Sequence, residues 1–236
     1  METVYGPPTI SEKATTTGFD GMPDTYWSTK LSFVRHGQAR SADGSYGNDT
    51  PLSRLGHEQA RAIAATLAAE TAPTGVYASP YPRAVETARP FCRRYEITPT
   101  VDPRLVEFEL PTVAFEMLQE RPDLALWRPD HCATPGGETL AAFSERVATV
   151  CTDIVLRHAR ASVAIFTHAG VIDAALRWAV SLPPDSAWQH DFDLAPGSIT
   201  EIEVWPHGRV KNGAPRFSAI SRVGDVSHLR RLVSDL

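Results

Sequence analysis

The stretch Leu31-Ser32-Phe33-Val34-Arg35-His36-Gly37-Gln38 decides how the rest of the chain is read. Leu31, Phe33 and Val34 form a short apolar run, the pattern of a buried strand, and it stops abruptly at Arg35-His36-Gly37. Gly37 permits a tight turn and lets a ligand approach the backbone closely. A charge at the end of a buried strand needs a polar partner. An anion held by both Arg35 and His36 would supply one. Taken alone, the tripeptide fits an ordinary strand ending in a basic turn, so its meaning depends on the segments around it.

Two more apolar runs end the same way. Val76-Tyr77-Ala78 leads into Ser79-Pro-Tyr-Pro82-Arg83, and Ser162-Val-Ala-Ile-Phe-Thr167 stops at His168-Ala169-Gly170. Helical patterns lie between the strands. Ser53 is a natural N-cap, and Ala60, Ile63, Ala64 and Leu67 follow it at helical spacing. Pro82 suits the first turn of a second helix carrying Arg83, Ala84, Thr87 and Ala88. Pro90 is expected to kink or shorten that helix. Residues 100–110 read as an extended or turning piece, and two short helices are expected around 112–120 and 122–128. Past Glu138, the residues Leu140, Phe143, Val147, Val150, Cys151 and Ile154 mark one face of a long helix. A helix over about 171–180 follows, then two strands near 198–205 and 216–222.

Alternating strands and amphipathic helices indicate an α/β fold, a three-layer sandwich with a mostly parallel central sheet. Such sheets bind ligands outside the carboxyl ends of their strands. Arg35, His36, Arg83 and His168 would converge there, two arginines and two histidines on one rim. Guanidinium groups hold phosphate oxygens bidentately, so the rim reads as a phosphate cradle.

Composition narrows the function classes. The 236 residues are 42% hydrophobic with a net charge of −5 and a pI near 5.9. This is enough for one sizeable core, and no run of Lys or Arg marks a nucleic-acid partner. No apolar run approaches membrane-spanning length, and the N-terminus lacks a signal-peptide pattern. Cys92, Cys132 and Cys151 are odd in number with no Cys-x-x-Cys spacing, which argues against a disulfide framework or structural zinc. The expectation is a soluble cytoplasmic protein. Residues 1–30 read as an N-terminal arm; Tyr5, Tyr26 and Trp27 could pin it to the body or to a second subunit of a homodimer, or the arm could be loosely ordered.

Arg35-His36-Gly37, Ser79-x-x-x-Arg83-Ala84-x-x-Thr87-Ala88, Pro135-Gly-Gly-Glu138-Thr139 and Thr167-His168-x-Gly170 occur in that order. Together they resemble the histidine phosphatase (phosphoglycerate mutase-like) superfamily, with the likeness running from Leu31 to the closing Gly224–Leu229 segment. The resemblance implies one domain over 31–236, with a helical insert at about 108–134 over the site. It also implies metal-free phosphoryl transfer, with no cofactor, through a phosphohistidine on His36. Arg35, Arg83 and His168 would hold the phosphoryl oxygens. The leaving alkoxide needs a proton. Ala169 stands where one branch of the family carries an Asp. Leu105-Val106-Glu107 matches the other branch, whose general acid is a Glu, so Glu107 is the expected proton donor and Glu109 the second candidate. Gly37, Gln38, Ser45 and Ala169 would contact substrate around the nucleophile. The chain departs from the family at Phe108-Glu109-Leu110-Pro111, where an aromatic-Glu-Gly continuation is usual, and at Ala42, near the place of a frequent Asn.

The preferred reading is a phosphatase acting on a small phosphorylated metabolite. A phosphoglycerate-type mutase would use the same intermediate but needs extra positive charge to retain a bisphosphate. Phe108–Ala133 carries five acidic residues against Arg121 and Arg128, a poor second clamp. A noncatalytic phosphate or phosphoprotein binding module is the third reading. A metal site built on His36 and His168 is disfavoured because the neighbouring arginines would repel a cation. Trp127, Arg128 and His131 fit lid packing and substrate contact equally well.

Overall fold

The computed structural model describes residues 27–40, 47–70, 72–108, 130, 132, 137–188, 191–205 and 217–233. Six strands form a single sheet: β1 (Thr29–Arg35), β2 (Gly75–Ala78), β3 (Thr100–Val101), β4 (Ser162–Thr167), β5 (Ile199–Trp205) and β6 (Phe217–Asp225). Their order is β3-β2-β4-β1-β5-β6. The first four run parallel, β5 runs antiparallel to β1, and β6 antiparallel to β5. The fold is α/β around a mixed central sheet.

Helices cover both faces because the inner strands are apolar on both sides. Successive side chains point to opposite faces. Leu31, Phe33, Val163, Ile165, Tyr77, Ile202 and Val204 therefore enter one core, shared with α3 (Leu140–Arg157) and α4 (Ala169–Ala179). Val34, Ala164, Phe166, Val76, Ala78 and Ile199 enter the other, with α1 (Arg54–Glu70) and α2 (Pro82–Tyr95). Trp27 packs against the first core.

The helix ends follow local chemistry. Ser53 Oγ accepts from Gly56 N at 3.1 Å and opens α1. Thr139 Oγ1 accepts from Ala142 N at 3.1 Å and opens α3. α2 starts on Pro82, runs through Pro90 to Tyr95, and stops where Glu96 turns left-handed at φ 53°. A mid-helix proline costs ~3 kcal/mol through its missing N–H and ring clash. Ala88, Phe91 and Cys92 are buried on either side of Pro90, and that packing carries the helix past it. The shortening expected at Pro90 does not occur.

The short helices expected around 112–120 and 122–128 lie outside the described residues. So do the arm through Tyr26, and Ala42, Ser45, Glu109, Trp127, Arg128 and His131.

Candidate active site

Pairing continues one step past the strand ends, and this brings the site together. His36 N donates to Thr167 O at 2.9 Å, and Ser79 N to Phe166 O at 2.9 Å. The residues just beyond β1, β2 and β4 thus sit side by side. The His36 and His168 rings lie 5.2 Å apart at 65°.

The turn after β1 is held by its backbone. Gly37 N donates to Thr87 Oγ1 at 3.0 Å, and Thr87 Oγ1 donates to Arg83 O at 2.6 Å. Gly37 keeps a negative φ; its lack of a side chain serves a close approach instead, since a Cβ there would meet Gly56 O at 2.7 Å. The neighbour is the first turn of α1, so the turn that carries His36 rests on a helix N-terminus. Gln38 is exposed and committed to that helix: its N donates to Gln59 Oε1 at 2.7 Å, and its Oε1 accepts from Ser53 Oγ at 2.7 Å.

His36 Nδ1 lies 2.8 Å from Gly37 O. A carbonyl only accepts, so Nδ1 carries the proton and Nε2 keeps its lone pair. Arg83 Nε–H donates to that Nε2 at 3.2 Å, and Arg83 Nη1 donates to Gly47 O and Asn48 O at 2.8 and 3.2 Å. Burial, and then the charges of Arg83 and Arg35, push the His36 pKa down to about 3, against the Gly37 hydrogen bond that raises it. His36 is therefore neutral at physiological pH, with its Nε2 lone pair turned toward the Arg83 Nε–H.

His168 is fully buried, and its Nε2 is 2.8 Å from Ser79 Oγ. Its Nδ1 has no hydrogen-bond partner among the described residues. Burial, followed by the His36, Arg83 and Arg35 charges, holds its pKa well below the usual range. In the tautomer where the Ser79 hydroxyl donates to Nε2, the buried Nδ1 carries the ring proton. Arg35 Nη1 donates to Leu194 O, while Arg35 N donates to Ser198 O at 3.0 Å. Gly197 N, at φ 81°, reaches Arg35 O and His36 O at 3.2 and 3.0 Å. Behind it, His228 Nε2 lies 3.0 Å from Gly197 O.

Glu107 follows a 3₁₀ turn, Pro103–Leu105, anchored to the end of β4 by Thr167 Oγ1 donating to Leu105 O at 2.8 Å. Its carboxylate accepts from Gly170 N at 3.1 Å and from Phe108 N at 3.0 Å. A Cβ on Gly170 would meet Glu107 Oε1 at 2.4 Å, so only glycine admits the carboxylate there. Burial raises its pKa, and it outweighs the two amide bonds and the charges of Arg35 and Arg83 that pull the other way. A carboxyl with a raised pKa beside two arginines is suited to giving up a proton.

Of the residues singled out in the sequence, the structure gathers His36, Arg83 and His168, with Arg35 and Glu107 in electrostatic reach of them. Ala169 is the first residue of α4 and packs against the core. Ser45 and Glu109 lie outside the described residues. Sequence reasoning passed over Ser79 as a site residue, though its place one step past β2 matches those of His36 and His168. It also missed Tyr81, whose ring lies 5.1 Å from that of His168 and 4.8 Å from Arg83 Cζ. The Leu194 carbonyl acts through the backbone, which leaves no side-chain signal to read. Among the described residues, no group of three or more His, Cys, Asp or Glu could hold a metal ion. None of the described helices is long and apolar enough to cross a membrane.

Comparison with known proteins fits this geometry. The uncharacterized Mycobacterium tuberculosis protein Rv0525 is 38% identical over 82 residues, 34% of this chain and 40% of its own length, so the match spans less than half of that relative. Bacillus stearothermophilus YhfR superposes with a TM-score of 0.65 at 26% identity, covering 85% of this chain and 99% of that one. A mycobacterial glucosyl-3-phosphoglycerate phosphatase superposes at 0.63 with 24% identity over 82% and 97%, a likeness of fold. Residues 31–213, most of the chain, match the model of the histidine phosphatase superfamily, branch 1. The chain belongs to that superfamily.

Proposed function

We propose that this protein is a phosphatase that hydrolyses small phosphomonoesters through a phosphohistidine on His36, without a metal ion. The observation that carries the reading is the His36 ring: neutral, with its proton fixed on Nδ1 by Gly37 O and its Nε2 lone pair among arginines. In the first step Nε2 attacks phosphorus and the ester P–O bond breaks. Glu107 gives its proton to the departing oxygen, while Arg35, Arg83 and His168 neutralise charge on the phosphoryl oxygens. In the second step water attacks phosphorus, Glu107 takes a proton from it, and the P–N bond breaks to release phosphate and restore neutral His36. The phosphatase activity of the mycobacterial structural neighbour supports the same reading.

Wild type and His36→Ala are compared on an aryl phosphate in the presence of a chelator, with acid-labile protein phosphate measured after rapid quench. Chelator-resistant turnover and acid-labile label in wild type, both lost in the variant, are expected. Activity that survives in His36→Ala would refute the nucleophile assignment.

A further inference from the structure

A cleft of about 260 Å³ opens beside the cradle. Glu107 lines it, so on the phosphatase reading this cleft is where a group that takes the Glu107 proton would lie. Tyr81, Pro103, Val106 and Phe108 form its apolar walls, and Glu138 and Arg146 close it. Tyr81 is shared between the two: its ring lies 5.1 Å from that of His168 on the cradle side, and the residue also lines the cleft.

Arg146 is the described cation in this lining, and it is already committed. Its Nε and Nη2 donate to Glu138 Oε1 and Oε2, both at 2.7 Å. Its Nη1 donates to the carbonyls of Arg104 and Val106, and its guanidinium lies over the Phe143 ring at 4.8 Å. A bidentate pair of this kind is strong and geometrically specific. Arg146 thus serves as a strut of the wall. An incoming carboxylate or phosphate would have to break that pair and would also face Glu138. Aromatic and apolar walls around Glu107, with Glu138 taken up by Arg146, suit a ring instead. The volume is near the lower end for ligand clefts, ~300 Å³, which limits the occupant to a small group.

We propose that this cleft is the leaving-group subsite and selects an uncharged, ring-bearing alcohol, discriminating against leaving groups that carry a carboxylate or a second phosphate. The proposal rests on the phosphatase reading above. The full chain is assayed on benzyl phosphate and on 3-phosphoglycerate, two primary alkyl esters that differ in ring and charge. The expected kcat/KM is at least tenfold higher for benzyl phosphate. Val106→Lys places a cation in the cleft and is expected to raise kcat/KM for 3-phosphoglycerate severalfold, narrowing the ratio. Equal rates on the two esters, a preference for 3-phosphoglycerate, or an unchanged ratio in Val106→Lys would overturn the subsite assignment alone. No turnover of either ester and no acid-labile label would overturn the phosphatase reading, and this proposal with it.

Discussion

At the scale of single residues, the site separates two protonation tasks by environment. His36 and His168 are both driven neutral, His36 to a pKa of about 3, so neither titrates near neutrality. Glu107 moves the other way, its carboxyl held above the ordinary value by burial. A donor must be protonated to act, so activity should fall as pH rises through that raised pKa. The fall should appear where the leaving group needs a proton. Glu107→Gln keeps the shape but has no acid proton to give, and its single oxygen can accept from only one of the Phe108 and Gly170 amides. Its kcat on benzyl phosphate should drop ~10²–10⁴-fold, the usual contribution of general acid catalysis. On 4-nitrophenyl phosphate, whose leaving group departs as the anion, the drop should be much smaller, and the alkaline limb of the benzyl phosphate profile should flatten. Equal losses on the two esters would mean that Glu107 holds the α4 N-terminus in place and does no proton transfer.

The elements set how firmly the His36 turn is seated. α1 meets it glycine to glycine: a Cβ on Gly56 would lie 2.1 Å from Gln38 O, and one on Gly37 would lie 2.7 Å from Gly56 O. Both contacts are with backbone, which no side-chain rotation relieves. Gly56→Ala poses two opposed effects. Alanine is favoured over glycine in a helix by ~1 kcal/mol. Overpacking a tight contact costs ~1–3 kcal/mol, and the backbone must move. The overlap wins because the atom struck belongs to the turn that carries His36. Gly56→Ala should lower the urea midpoint and reduce kcat on every phosphomonoester alike; unchanged stability and activity would show that α1 can slide away freely. Helix caps and strand runs were legible in the sequence because Ser53, Pro82 and the apolar runs act locally. The Gly37–Gly56 contact was not, since glycine pairs have no periodicity and nothing in the sequence states which two backbones will touch. Pro90 misled for the converse reason, a strong local signal outweighed by the burial of Phe91 and Cys92.

Over the whole molecule, what the sequence disclosed is the set of chemistry-bearing strand ends, because three basic endings on one sheet edge must converge. It did not disclose the charges the fold buries away from that edge. Asp173 sits inside a helical pattern of apolar residues and is 1% exposed, in a stretch of α4 where every residue from Val171 to Ala179 is buried. Its Oδ2 accepts from Phe192 N at 3.2 Å, while Oδ1 has no hydrogen-bond partner among the described residues. Burial, and then the nearby Asp191 carboxylate, push its pKa up to about 7; the Phe192 amide and Arg177 oppose this only partly. The sign follows from proton counting. Between the unfolded value of ~4 and about 7, the folded protein keeps a proton that the unfolded chain has released. Stability is therefore highest below pH ~4 as far as this group is concerned, and it is lost as pH rises toward 7. A tenfold difference in proton affinity between the folded and unfolded chain corresponds to ~1.4 kcal/mol, so the group can change global stability by a few kcal/mol, a large part of a typical total. Asp173→Asn keeps the acceptor for Phe192 N and cannot ionise. Its midpoint in urea should lie closest to that of wild type near pH 4 and exceed it by pH 8, the gap opening as the pH passes from the unfolded pKa to the folded one. Because Phe192 leads to Leu194, whose carbonyl accepts from Arg35, the same gap should appear in thermal protection of activity at pH 8. Parallel stability curves for the two proteins across that range would show that Asp173 is paired well enough to ionise without cost.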